Sequence, residues 1–216
     1  MRLALLGAAC ALASGLVSTQ LRVTFSPRAN ELVAGWTSLG TVAPGASLLE
    51  AGPSPTLLTT RVAGATVAFG NEYCPDNSTR TSHSAAFPAP PGAVTYYRVT
   101  SDGGATWSAV LGARNPQRDF PLAIALWGDL GVECGGVLPP SPGFAGGQCT
   151  AVPQLAADAQ AGRHALSIHF GDTGYNMDER CGEKGDAFLD AASSYSAIRP
   201  HVYTNGNHEG SGSLKP

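Results

Sequence analysis

The chain has 216 residues, of which 43% are hydrophobic and only 13% charged, with 13 Lys and Arg against 16 Asp and Glu and a net charge of −3. That length allows one or two compact domains with a real core, and the lack of any basic cluster argues against a nucleic-acid partner. Its 27 glycines and 16 prolines, about a fifth of the chain against the usual ~12%, suit turn-rich β structure and exclude a coiled coil or helical bundle.

The chain opens like a targeting segment. Met1-Arg2 is followed by the apolar stretch Leu3–Ala9 and by the small residues Ala11-Leu12-Ala13. This is the pattern of a signal peptide over 1–13, with cleavage as late as 19. The apolar run stops near Val17, short of the ~20 residues a membrane span needs. A secreted or lumenal protein with no membrane segment after signal removal is therefore expected. Cys10 would leave with the signal, and Cys74, Cys134, Cys149 and Cys181 remain. An even number of cysteines in an oxidising compartment suits disulfides. Cys134 and Cys149 bracket a Gly/Pro-rich loop and are the expected bridge; zinc ligation is the alternative, with no C-x-x-C spacing behind it. The partner of Cys181 is open. Asn77-Ser78-Thr79 is a glycosylation sequon.

From 20 to 117 the text is one of short β runs between turn signals. Leu21–Phe25 alternates, and Glu31–Thr37 places Leu32, Ala34 and Trp36 on one face. Thr66–Phe69, Ser84–Phe87, Val94–Thr100 and Trp107–Leu111 follow. Such a series predicts an antiparallel sandwich, with Trp36, Tyr96 and Tyr97 as core residues.

From 118 to 216 the style changes. Leu122–Trp127, Ala165–Phe170 and His201–Thr204 are nearly continuous apolar or β-branched runs, as in strands buried on both faces. Thr150 is placed to cap a helix over Val152–Ala161 that stops at Gly162. A second helix, Asp186–Tyr195, lines up Phe188, Ala192 and Tyr195. Alternating strands and helices predict a βαβαβ unit with a parallel sheet.

Each of the three runs ends in a similar word: Gly128-Asp129-Leu130-Gly131, Gly171-Asp172-Thr173-Gly174-Tyr175 and Asn205-Gly206-Asn207-His208-Glu209. Ligands of open parallel sheets gather outside the carboxyl ends of the strands. Asp129, Asp172 and Asn207 are thus expected to converge there, each preceded by a glycine that permits a tight turn. Two carboxylates, a phenol, an amide oxygen and an imidazole make a hard donor set, suited to Fe(III), Mn(II), Zn(II) or Mg(II). A carboxylate can bridge two ions, and paired ions suit phosphate-ester hydrolysis.

These words, in this order, resemble the first signature blocks of the purple acid phosphatases, metallophosphoesterases of the calcineurin-like superfamily. His169 to Glu209 is the most specific stretch, and the preceding sandwich resembles that family's fibronectin type III-like domain. The resemblance implies a fold of two parts: an all-β fibronectin type III-like sandwich over 20–117, then the first, βαβαβ, half of an α/β metallophosphoesterase domain over 118–216. It implies a binuclear centre of Fe(III) and a divalent Zn, Mn or Fe(II). Asp129 and Tyr175 would bind the ferric ion, Asp172 would bridge, Asn207 would bind the divalent ion and His208 would contact the phosphate. The implied reaction is attack by a metal-bound hydroxide on a small phosphate monoester. His83, His164, His169 and His201 match no ligand position; His169 and His201 are expected within strands, His83 and His164 at the surface.

The family's three further histidine ligands, from a V-x-x-H and a G-H-x-H block, have no counterpart in these 216 residues. The sequence therefore reads as an N-terminal part, with negligible turnover expected from it alone. A non-catalytic secreted sandwich module with a degenerate metal site is the alternative. A related phosphodiesterase or nucleotidase fits less well, because tyrosine after GD-x-x is the purple-phosphatase choice.

Overall fold

Period-two alternation of apolar residues dictates the first part of the molecule. The computed structural model describes residues 17–70, 74, 79–117, 121–130, 151–173, 175, 177 and 179–207. The signal segment, the Cys134/Cys149 pair, Asn77 and Ser78 of the sequon, and His208 lie outside the described residues.

The chain first forms β1 (Thr19–Phe25), β2 (Glu31–Leu39), β3 (Leu48–Gly52), β4 (Thr60–Ala63), β5 (Ala65–Phe69), β6 (Arg80–Pro88), β7 (Val94–Thr100) and β8 (Leu111–Arg114). They pair antiparallel into two sheets, ordered β1-β2-β6-β5 and β4-β3-β7-β8. The inward positions of both sheets close a single core that contains Leu32, Trp36, Leu49, Phe87, Tyr97 and Val99, each fully buried. Burial of each such side chain contributes roughly 1.5–3 kcal/mol, which makes this core the main stabiliser of the sandwich.

Three expectations are corrected here. Strands β3 and β4 were not anticipated, because the short stretch Leu48–Gly52 carries Glu50 in its middle; that carboxylate pairs with Arg98 directly opposite on β7, at 2.7 Å. The last strand begins at Leu111 rather than Trp107, whose ring instead lies 4.4 Å from the Arg98 guanidinium. His83 is not at the surface. It faces inward from β6, stacks on Trp36 with 5.1 Å between ring centres, and is bonded by Ser38 and Ser47 at 2.9 and 3.0 Å.

The second part runs β9 (Ile124–Trp127), α1 (Ala151–Gln160), β10 (Leu166–Phe170), α2 (Glu183–Ser196) and β11 (His201–Thr204). The strands are parallel in the order β11-β10-β9, the expected βαβαβ arrangement. Helix α1 stops where expected, at Gly162 with φ 71°. On α2, Phe188, Ala192 and Tyr195 are fully buried and pack with Val152 and Ala159 of α1 and with Trp127 of β9. Expected burial of the strands on both faces is corrected: Ile124, Leu126 and Phe170 are 45%, 61% and 55% exposed. The buried clusters of this region lie on the other face, with Trp127, His169 and His201, as the strand alternation requires. His164, expected at the surface, is 5% exposed where it leads into β10.

The two parts are joined by covalent and polar contacts. Cys74, before β6, forms a disulfide with Cys181, before α2. This supplies the partner of Cys181 that sequence left open. Arg80 of β6 grips Asp186 of α2 through Nε at 2.8 and 3.0 Å and also through Nη2. The Tyr97 hydroxyl donates to the Ala197 carbonyl, and the Ser196 hydroxyl to that of Leu21.

Candidate metal centre

The carboxyl ends of β9 and β10 set Asp129 and Asp172 side by side. Asp129 donates its backbone N–H to the Gly171 carbonyl at 3.4 Å, and Gly171 donates to Thr204 of β11 at 3.1 Å, so all three strand ends are tied together. Close approach demands glycine at two of them. A Cβ on Gly128 would sit 2.5 Å from the Phe170 carbonyl oxygen; one on Gly206 would sit 2.2 Å from both the backbone nitrogen and Oδ1 of Asp172. The positive φ angles fall on the aspartates themselves, 54° at Asp129 and 43° at Asp172. Left-handed backbone at a non-glycine costs of order 1–3 kcal/mol and persists where surrounding structure enforces it. The expected glycine turn is thus only part of the device, since only Gly171 of the three glycines has a positive φ, 77°. Aspartate tolerates this region better than most residues, which was the one sequence signal for the strain.

Tyr175 closes over the two carboxylates. Its hydroxyl donates to Asp129 Oδ1 at 2.5 Å and reaches Asp172 Oδ2 at 3.4 Å. Asp172 is 8% exposed, Tyr175 half-buried, and Asp129 and Asn207 are exposed. The Tyr175 phenol is pushed up to about 12, first by its hydrogen bond to Asp129, then by desolvation and by the charges of both aspartates. Two carboxylates that share the O–H of a phenol also present their oxygens to a cation. Three hard oxygen donors, from Asp129, Asp172 and Tyr175, meet within hydrogen-bonding range, and this donor chemistry fits a hard ion such as Fe(III). Among the described residues, no three His, Cys, Asp or Glu side chains form a metal-holding group. Asn207 lies on the same edge, one residue beyond the Gly206 that packs on Asp172.

No family model matches the chain. Human acid phosphatase type 7 (Homo sapiens) is 33% identical over 86 residues, covering 40% of this chain and 16% of that protein. The zebrafish protein of the same name (Danio rerio) is 32% identical over 108 residues, 49% of this chain and 21% of its own length. In fold, the purple acid phosphatase PPD1 from yellow lupin (Lupinus luteus) seeds matches 93% of this chain with a TM-score of 0.68 at 18% identity. The chain is homologous to acid phosphatase type 7 and shares its fold with a purple acid phosphatase.

The lupin match takes in both the fibronectin-like sandwich and the partial metallophosphoesterase unit, so the order of the two parts is that of a purple acid phosphatase. The chain spans 16–24% of the curated acid phosphatases it matches and 38% of the lupin chain. The structure brings Asp129, Asp172 and Tyr175 together and sets Asn207 on the same edge. Sequence reasoning missed the support behind Tyr175. Between it and α2 lie Arg180, Cys181 and Gly182, with φ of 53°, 57° and 86°, a left-handed turn fastened to the sandwich by Cys74. The even cysteine count signalled disulfides without assigning Cys181 a partner, and the Cys74–Cys181 bridge leaves the expected Cys134–Cys149 pair, outside the described residues, untouched.

Proposed function

We propose that the protein hydrolyses small phosphate monoesters at a binuclear metal centre, and that this stretch of chain supplies the ferric half and the bridging carboxylate. The observation that carries the reading is the convergence of the Tyr175 hydroxyl on Asp129 and Asp172 from two separate strand ends. In this reading Asp129 and Tyr175 hold Fe(III), Asp172 bridges, and Asn207 holds a divalent Zn, Mn or Fe(II). When bound, such a pair of ions would polarise the phosphoryl oxygen and activate water.

The chain's own residues do the rest. Strained backbone at Asp129 and Asp172 holds both carboxylates ready at the strand edge, which limits reorganisation on loading. Tyr175 must give up its proton to ligate, and both carboxylates must lose the hydrogen bonds that raise its pKa. His208 follows Asn207 directly and is assigned to the phosphate. The domain division assigned to the protein is a sandwich over 20–117 and a phosphoesterase unit from 118, behind a signal segment that directs secretion.

Ferric titration of the purified chain tests the reading. A visible phenolate-to-iron band should grow with added Fe(III), and Tyr175→Phe should abolish it. A wild-type chain that binds Fe(III) without such a band, or a band that survives the substitution, overturns the assignment.

A further inference from the structure

A second polar concavity lies at the opposite pole of the parallel sheet. The candidate metal centre uses the carboxyl ends of the strands; this cleft, of about 560 Å³, opens where the strands begin. Leu122 and Ala123 lead into β9, His164 into β10 and Arg199 into β11, while Arg114 and Pro116 reach it from the end of the sandwich. Ligand clefts are commonly ~300–1,000 Å³, so the space suits a small organic molecule rather than a bare ion.

Its charge is one-sided. Among the described residues, Arg114, Arg199 and His164 line it, and no Asp or Glu does. Neither arginine forms an ion pair among the described residues. Arg114 donates through Nη1 to the Gly92 carbonyl at 2.8 Å, and Arg199 through Nε to the Ala159 carbonyl at 2.9 Å. These neutral acceptors orient the guanidinium groups without cancelling their charge. Arg199 is 8% exposed, and a buried cation facing another cation is costly unless an anion compensates it. Burial, then the charge of Arg114, holds the Arg199 guanidinium below its ordinary value. His164 is 5% exposed, and its Nε2 is buried with no hydrogen-bond partner. The one carboxylate that acts electrostatically on His164, Asp158, is itself held by Arg163 at 2.5 Å and by Gln154 at 2.8 Å. On the apolar side, Pro116, Pro121 and Leu122 offer a wall for a hydrocarbon body.

We infer that this cleft is a binding site for a small organic oxyanion, whose head group sits between Arg114, Arg199 and His164 and whose apolar body lies on the proline–leucine wall. Guanidinium forks match phosphate and carboxylate alike, so the shared chemistry is an oxyanion on an apolar frame. The site is separate from the metal centre, at the other end of the same strands, and it depends on no metal.

Calorimetric titration of the full chain in the presence of a chelator tests this, with phenyl phosphate, benzoate and phenol as probes. Saturable binding of phenyl phosphate or benzoate is expected, and the tighter of the two identifies the head group. Phenol should bind at least tenfold more weakly. Arg114→Gln, at an exposed position, should weaken anion binding about tenfold, the loss of one charge-assisted contact of ~1.4 kcal/mol. Arg199→Gln should weaken it further. Asp172→Asn should leave it unchanged. The inference is overturned if neither anion binds saturably, if phenol binds equally well, if binding survives Arg114→Gln undiminished, or if Asp172→Asn removes it.

Discussion

The Tyr175 hydroxyl donates to Asp129 Oδ1 at 2.5 Å across 46 residues of sequence, joining the end of β9 to the loop after β10. The same contact is the main reason its phenol is pushed up to about 12. Replacing Asp129 by asparagine keeps the shape and removes the charge. In the metal-free chain, Asp129→Asn should bring the Tyr175 ionisation down towards the ordinary ~10 of tyrosine. Ultraviolet tyrosinate titration, with Tyr175→Phe subtracted to isolate the residue, reads this directly. An unmoved ionisation would mean that Asp129 does not govern it.

Gly206 makes the second strand-end contact. A Cβ there would lie 2.2 Å from two atoms of Asp172, one of them backbone, so the clash cannot be relieved by a side-chain rotation alone. Gly206→Ala should cost roughly 3 kcal/mol of stability, at the upper end of ordinary overpacking. It should also displace Asp172 and weaken Fe(III) binding more than Asn207→Ala does, since Asn207 is assigned to the divalent ion. A variant with wild-type melting and ferric affinity would show that the strand ends are looser than drawn.

How much of this was legible in the sequence follows from the range of the interactions. Helix α2 was readable because Phe188, Ala192 and Tyr195 recur at helical spacing, a local signal. The three parallel strands were readable as apolar runs, yet the same runs overstated their burial, since apolar composition cannot reveal that Leu126 and Phe170 face away from both helices. Strand β3 was hidden because Glu50 breaks the apolar pattern, and its partners on the flanking strands, Arg98 of β7 and Arg61 of β4, make the charge acceptable. The three strand-end motifs were legible because the strand-end rule converts spacing into position. That Tyr175 would join both aspartates followed from the resemblance alone, since no local pattern sets a contact such as that of Tyr175 with Asp129, 46 residues apart.

That disulfide spans 107 residues. In the chain-entropy account a loop of this length constrains the unfolded state by about 4–5 kcal/mol, and native bridges commonly deliver ~2–4. Reduction, or a Cys74→Ala/Cys181→Ala pair, should lower the stability to urea by that smaller amount. If the bridge also steadies the loop bearing Tyr175, reduction should broaden or weaken the ferric band at temperatures where the chain stays folded. Equal urea midpoints with and without reductant would remove the bridge from the stability argument.

Arg80 and Asp186 carry the polar half of the same junction. Arg80 is 7% exposed, and its guanidinium meets both carboxylate oxygens of Asp186. Removing the carboxylate of such a pair takes its opposite charge from a buried guanidinium, at a cost of up to about 3–5 kcal/mol. Asp186→Ala should therefore destabilise more than Arg80→Met, which removes the charge and keeps much of the apolar stem. Urea denaturation of the two variants decides the order, and a reversed order would mean that the lost hydrogen bonds of Asp186 dominate.

Acid stability should depend on buried histidines outside the candidate site, His83 and His201 above all, with His164 also held below its ordinary value, first by burial. His83 is pushed down to about 4, first by burial and then by the charge of Arg22. His201 is pushed down to about 3, first by burial and then by His169 and His164, while its Nδ1 pairs with the Ser167 hydroxyl at 2.6 Å. Both are neutral in the fold, whereas in the unfolded chain each gains a proton below about 6.5. The unfolded state therefore binds more protons between about pH 6.5 and about 4, and stability must fall as pH falls through that window. Each histidine contributes a slope of at most about 1.4 kcal/mol per pH unit. Substituting His83 by glutamine, which still offers Ser38 and Ser47 a polar partner, should flatten the dependence by one histidine's share while lowering stability at neutral pH. Urea midpoints measured across the window for wild type and His83→Gln provide the check, and parallel curves would exclude His83 as a source of the acid sensitivity.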